Sequence, residues 1–310
     1  MTPRPVAGVS WSLERRVEVR PASPFRLGGA SGDGLLRRRG TSLQRLLHRG
    51  DEPVLVGIVQ TAPDRVVFAA RAHSEGGADF GIARMRFATG VDDDLSDFRD
   101  AFSGDPLIGR AVRAHPWLRV TRKPRPWEAL VAAITEQLIE VERAIVIQRR
   151  LIARHGRRCP DSGLRDAPLT VAVAGEAPAR LQSFGLAESR AFALRRAARE
   201  VAAGRIRLDA AHEPAWAALL ALPGIGAWTV EYLALHGHGR YDQVPAGDLG
   251  YLKLVGRLVT GRPQARADEA EVRGLLEPYG DWRGLAGAYM LWAARRGMPL
   301  SRQETPAACA

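Results

Sequence analysis

The feature that most constrains this 310-residue chain is the segment Leu219-Leu220-Ala221-Leu222-Pro223-Gly224-Ile225-Gly226-Ala227-Trp228-Thr229-Val230. An apolar helical run stops at Pro-Gly-Ile-Gly, and a second helix begins at once. The connection must be tight, and Gly224 and Gly226 can take the positive φ that such turns ask for. Two helices folded into a hairpin are the expected result. Without side chains at these glycines, the turn's N–H groups and the N-terminus of the second helix can come close to a phosphate oxygen. Pro223, Gly224, Ile225, Gly226 and Thr229 are therefore candidate contacts to a nucleic-acid backbone. An ordinary glycine-rich turn between packed helices has the same local signature, and Gly-x-Gly alone does not separate the two.

The charge balance bears on that choice. Lys and Arg number 45 against 34 Asp and Glu, a formal charge of +11, which favours a polyanionic partner and nucleic acid first. Nearly all of the basic residues are Arg, with Lys only at Lys123 and Lys253. A hydrophobic share of 46% excludes disorder of the whole chain and supplies real cores. No apolar run reaches the length of a membrane span, and Met1–Ser10 lacks the pattern of a secretory signal, so a cytoplasmic protein without a membrane partner is expected. Cys159 and Cys309 are the only cysteines, too few for a disulfide framework, a four-cysteine zinc site or an iron–sulfur cluster. No cofactor is expected from side-chain chemistry.

Two textures divide the chain. Residues 1–100 read as a small α+β domain: the alternating Arg16–Arg20, Val54–Val59 and Arg65–Phe68 suggest an antiparallel sheet, with a helix around Ser42–His48. Arg37-Arg38-Arg39 reads as a solvated loop, and Asp92-Asp93-Asp94 as a boundary. Beyond residue 95 the strand signals disappear, and residues 101–302 read as a mainly helical domain followed by a flexible tail, 303–310. Its clearest helix starts near Pro126 and carries Leu130, Val131, Ile134, Leu138, Val141, Ile145 and Ile152 as one buried stripe over about seven turns.

The hairpin at 219–231 is followed, within 244–253, by Val244-Pro245-Ala246-Gly247-Asp248-Leu249. Together they resemble the helix-hairpin-helix glycosylase superfamily, and within it the alkylbase-excising 3-methyladenine DNA glycosylase II branch. Trp127-Glu128-Ala129-Leu130 through Glu136-Gln137-Leu138-Ile139 and Tyr279-Gly280-Asp281-Trp282-Arg283-Gly284-Leu285-Ala286 fit the same family, so that the resemblance covers roughly residues 100–300. It implies an α+β N-terminal domain followed by a two-lobed helical glycosylase domain. It also implies a monomer that binds double-stranded DNA, turns a damaged, alkylated purine out of the stack and hydrolyses its glycosidic bond.

The resemblance also implies roles. Asp248 matches the catalytic carboxylate, which would stabilise an oxocarbenium-like sugar and orient or deprotonate water; Gly-Asp before Leu249 is equally a helix N-cap. Trp228 and Tyr232, four apart on one helix face, would stack on an electron-poor base, with Trp282 and Trp292 as further pocket candidates. Leu138 matches the wedge that fills the space of the flipped nucleotide, although it also belongs to the apolar stripe; Gln137 beside it would contact the orphaned strand. Glu136 and Glu140 stand where the family more often has Gly and Ser.

Trp228 occupies the position at which bifunctional relatives carry a Schiff-base Lys. The nearby Lys253 lies five residues beyond Asp248, about 140° around an ordinary helix, so a monofunctional, water-using enzyme is expected. A monovalent Na+ or K+ held by the carbonyls of Leu220, Leu222 and Ile225 is a further implication. Two other readings stay open: a non-catalytic DNA-binding or damage-sensing protein, and a glycosylase for oxidised or mismatched bases.

Overall fold

The computed structural model describes residues 11–210 and 212–300. The chain opens with β1 (Leu13–Val19), β2 (Leu36–Arg39), β3 (Ser42–Arg49), β4 (Glu52–Ala62), β5 (Arg65–Ala72) and α1 (Glu75–Thr89). The strands form one antiparallel sheet in the order β1-β5-β4-β3-β2. Short turns set the register: Arg49 pairs with Glu52 around Gly50, at φ 60°, and Ala62 pairs with Arg65 around Pro63-Asp64. Helix α1 lies against β4 at Gly81, where a Cβ would stand 2.5 Å from a Val54 methyl; only glycine allows this approach. Ser74 caps the helix by accepting the N–H of Gly77.

The expected helix at Ser42–His48 is strand β3, and the expected loop at Arg37–Arg39 is edge strand β2. Strand β3 hydrogen-bonds to neighbours on both sides, and Leu46 meets Leu55, Cys159 and Leu164 while Leu43 and Leu47 join the sheet's main core. With both faces covered, Arg45 through His48 are buried in succession, which erases the period-two signal of a strand.

The helical part comprises α2 (Ser96–Phe102), α3 (Gly109–Ala114), α4 (Pro126–Glu136), α5 (Val141–His155), α6 (Thr170–Gly175), α7 (Pro178–Ser183), α8 (Glu188–Ala202), α9 (His212–Leu220), α10 (Ala227–Gly237), α11 (Leu249–Thr260), α12 (Glu269–Leu276) and α13 (Arg283–Arg295). Strand signals do return beyond residue 95, as the small hairpin of β6 (Gly156–Arg158) and β7 (Arg165–Pro168). No helix among the described residues is long and apolar enough to cross a membrane. Two helical cores form, one around α4, α5, α8 and α10 and the other around α11–α13 with α2 and α3. The tail expected at 303–310 lies outside the described residues.

The seven-turn helix is two helices. Between α4 and α5 the chain turns at Gln137–Glu140, and Leu138 takes φ 55°, the only positive value at a non-glycine among the described residues. A buried ionic cluster ties sheet to helices. Arg45 on β3 donates to Glu128 of α4 at 2.8 Å and to Asp166 of β7 at 3.4 Å; Arg125 bonds both carboxylates, and His48 meets Asp166 at 3.0 Å. These arginines, with the His48 hydrogen bond, hold the Asp166 carboxyl well below the usual range despite its burial.

Candidate active site

Three chain reversals meet at one cavity of about 660 Å³: the α4–α5 turn, the α9–α10 hairpin and the start of α11. Glu136, Leu138, Trp228, Asp248, Lys253 and Arg295 are among the residues that line it.

The hairpin is as tight as its residues require, and its two glycines have different reasons. Gly224 adopts φ 89°, and a Cβ there would stand 2.9 Å from Ala193 of α8, so the fold itself demands glycine. Gly226, the N-cap of α10, has extended backbone at φ −107° and ψ 179°, and a Cβ on it would meet nothing within 4 Å. Packing therefore does not explain its lack of a side chain, whereas an approaching anion would use the open space in front of the helix N-terminus. Pro223, Gly224 and Gly226 are exposed, while Ile225 and Thr229 are buried. The Thr229 side chain thus supports the turn from inside.

Gln137 fastens the α4–α5 turn to this hairpin. Its Nε2 donates to the Gly224 carbonyl at 3.1 Å and to Thr229 Oγ1 at 2.8 Å. Beside it Leu138 is 91% exposed in its left-handed backbone conformation. An apolar side chain driven outward on a strained backbone is the opposite of a core residue, and such strain is characteristic of sites that act on something else. The apolar stripe does not include it.

Asp248 is the N-cap of α11 and its Oδ1 accepts the Gly250 N–H at 2.7 Å, so the cap geometry is present, and the residue also lines the cavity. A Cβ at Gly250 would stand 2.9 Å from that oxygen, which shows why the carboxylate can fold back here. The preceding loop is pinned by Asp248 N–H to Pro245 O at 2.9 Å and by Ala246 N–H to Glu231 Oε2 at 3.3 Å. Glu231 is itself held by Arg273 at 2.6 Å.

Lys253 lines the same cavity as Asp248, although an ordinary helix would set the two about 140° apart. The cap residue is extended, at φ −66° and ψ 131°, so helical angular spacing does not run from it to residue 253. Trp228 lines the cavity, with its buried indole N–H unpartnered. Tyr232 stands behind, 5.5 Å from Trp228 between ring centroids and 4.3 Å from His236. The other two tryptophans lie elsewhere: Trp282 packs on Phe98 and Tyr241, and Trp292 on His115 and Arg296.

Sequence reasoning also passed over what the Glu136 carboxyl does. It accepts a hydrogen bond from Gln148 Nε2 at 3.0 Å and one from the Tyr232 hydroxyl, and it lines the cavity. Burial, helped by the charge of Asp248, raises its pKa above the usual carboxyl value although those two donors oppose the shift. Its departure from the family's glycine was the available signal. At the hairpin, the Leu222 carbonyl accepts the Ile225 N–H at 3.0 Å. The neutral oxygens of Leu220, Leu222 and Ile225 suit a monovalent cation in donor chemistry. No group of three or more His, Cys, Asp or Glu among the described residues could hold a metal ion.

No family model matches the chain. Over 190 residues, 60% of its length, it is 32% identical to a Mycobacterium tuberculosis protein described as a probable bifunctional transcriptional activator/DNA repair enzyme AlkA, 38% of which is covered. Over 182 residues it is 29% identical to the DNA-3-methyladenine glycosylase 2 of Escherichia coli, covering 58% of this chain and 61% of that one. The chain thus spans less than two thirds of the length of these curated relatives. Its fold is similar to that of the 3-methyladenine DNA-glycosylase of Archaeoglobus fulgidus, with a TM-score of 0.75 at 17% identity over 91% of this chain and 98% of that one. At such identity the likeness shows a shared fold, and function must be argued from the site.

Proposed function

We propose that the protein is a monofunctional DNA glycosylase that hydrolyses the N-glycosidic bond of alkylated purines in duplex DNA. The observation that carries this reading is the meeting, at one cavity, of the Asp248 carboxylate with the outward, strained Leu138. The cavity is large enough to take a flipped base, and Leu138 would enter the gap the base leaves. The exposed turn at Gly226 would hold the phosphate backbone without reading sequence, and the net positive charge would make binding weaken with salt. Trp228 offers an aromatic wall for a cationic base, while Asp248 balances the positive charge that grows on the sugar as the base departs. Water then adds at C1′ and passes its proton to a carboxylate.

In this reading the sheet, with α1, and the helices form two domains, 1–100 and 101–302, acting as a monomer on double-stranded DNA in the nucleoid. A Na+ or K+ at the carbonyls of Leu220, Leu222 and Ile225 would brace the hairpin. The names of the curated relatives support DNA repair of alkylated bases, and the site chemistry agrees with them.

The test is base release from duplexes carrying 7-methylguanine, for wild type and Asp248→Asn, followed by alkali. The expected result is release by wild type, strand breaks only after alkali, and a loss of about a hundredfold or more in the variant, which keeps its N-cap because Asn caps as well as Asp. Equal DNA binding with no release by either protein would replace this reading with a non-catalytic one. The exposed amine of Lys253 at the cavity favours a second reading, in which it traps the sugar as an imine; borohydride cross-linking to damaged DNA would reveal it.

A further inference from the structure

The cavity holds a second carboxyl group in surroundings unlike those of Asp248. Asp248 caps α11, its Oδ1 accepting the Gly250 N–H at 2.7 Å. Glu136 ends α4 half-buried, on the wall that joins α4 to α5 and α10. The groups facing it are Gln148 from α5 at 3.0 Å, the Tyr232 hydroxyl from α10, Asp248 from the start of α11, and Lys123 from the segment before α4. Lys123 is paired with Asp33 at 3.2 Å, so its charge is already shared. Glu140, Lys253, Glu269 and Arg295 complete the charged rim of the same cavity. Gln148 and Tyr232 fix the carboxyl, and Gln148 also donates to Thr135 Oγ1 at 3.0 Å.

Resting on the glycosylase reading above, we propose that Glu136 is the acid that protonates the departing base when that base is a neutral purine. A purine alkylated at N7 or N3 carries a positive charge and leaves as a neutral molecule without help. A neutral purine would leave as an anion unless a ring nitrogen receives a proton. In the step, the C1′–N9 bond breaks with its electron pair going to the purine while the Glu136 proton moves to N7 or N3, so that the base departs neutral. The sugar cation faces the Asp248 carboxylate, and water adds to C1′ and gives its proton to that carboxylate. The proton returns to Glu136 through solvent, and the sum is base-nucleotide plus water giving free base plus abasic site. The raised pKa of Glu136 supports this role, since only its protonated form can donate. Two carboxyls at one cavity in unlike surroundings, one capping a helix and the other held beside Gln148 and Tyr232, are a recurrent basis for dividing acid and charge-stabilising roles. Gln148 and Tyr232 act as positioning residues.

The experiment compares single-turnover release of hypoxanthine, which is neutral, and 7-methylguanine, which is cationic, from otherwise identical duplexes. For wild type the hypoxanthine rate is expected to fall with rising pH, about tenfold per unit above the Glu136 pKa, relative to the 7-methylguanine rate. For Glu136→Gln the ratio of the hypoxanthine to the 7-methylguanine rate constant is expected to fall about a hundredfold, and its pH dependence to vanish. An unchanged ratio, or a pH-independent ratio in wild type, overturns the inference; the wild-type profile tests it even if the variant fails to fold. Release of 7-methylguanine without any release of hypoxanthine by wild type overturns it while sparing the glycosylase reading. Release of neither base overturns both.

Discussion

Replacing Leu138 by Ala separates function from stability more cleanly than any other change at the site. Leu138 is 91% exposed, so truncation removes almost no buried surface and leaves no cavity. Its φ of 55° is kept by Ala, so the backbone strain is unaltered and the expected stability change is within about 0.5 kcal/mol. A Leu138→Gly variant would regain about 1 kcal/mol of left-handed strain and lose about as much to the entropy of the unfolded chain, so it too should be nearly neutral. On DNA the balance differs: full burial of a Leu side chain contributes about 1.5–3 kcal/mol. If Leu138 fills the space of the flipped nucleotide, its loss should slow base release from duplex DNA roughly tenfold to a hundredfold. Single-turnover release of 7-methylguanine, measured beside urea unfolding, reads both quantities. Release within twofold of wild type would refute the wedge; a stability loss above about 2 kcal/mol would show that Leu138 is a packing residue after all.

The two hairpin glycines should behave oppositely. Gly224→Ala meets both the positive φ and the Ala193 contact and should cost about 2 kcal/mol or more in urea unfolding. Gly226→Ala, facing open space, should cost under about 1 kcal/mol yet weaken duplex binding in a fluorescence anisotropy titration; unchanged affinity would remove the phosphate role. Arg45→Met, which removes one of the two arginines shared by the buried Glu128 and Asp166 and leaves Arg125 as the other, should destabilise by about 3 kcal/mol, and a loss below about 1 kcal/mol would show that the cluster is not a tie. Burial lowers both His236 and His238 to a pKa of about 4. The folded state therefore binds fewer protons than the unfolded state between about 6.5 and 4, and stability should fall as pH drops through that window. Unfolding midpoints that stay flat from pH 7 to 4 in wild type would contradict that assignment.

Much of the site was legible because its signals are local. Pro223-Gly224-Ile225-Gly226 announces a hairpin on its own, since few residue types can make so abrupt a connection between helices. Gly247-Asp248 before Leu249 announces a helix start by capping chemistry. The resemblance carried by these two segments is matched by relatives named as a probable DNA repair enzyme AlkA and a DNA-3-methyladenine glycosylase. Strands β1, β4 and β5 were visible from their β-branched runs. Strand β3 was not, because its neighbours cover both faces and remove the alternation on which the reading depends.

The amino-acid sequence by itself therefore determined the basic surface, the hairpin, the capped start of α11 and the residue type at each of these points, all properties of short stretches. Tertiary structure decided which side chains share a cavity. The apolar periodicity continues through Ile134, Leu138, Val141 and Ile145 at three- and four-residue steps, so nothing local says that the chain breaks at Gln137–Glu140. The break is set where Gln137 ties to Gly224 and Thr229, and Gln148 to Glu136, bonds that span 12 to 92 positions. Those long-range bonds turn Leu138 outward and bring Glu136 to the cavity of Asp248. Periodicity cannot report them, because hydrogen bonds between distant segments leave no repeat in either one.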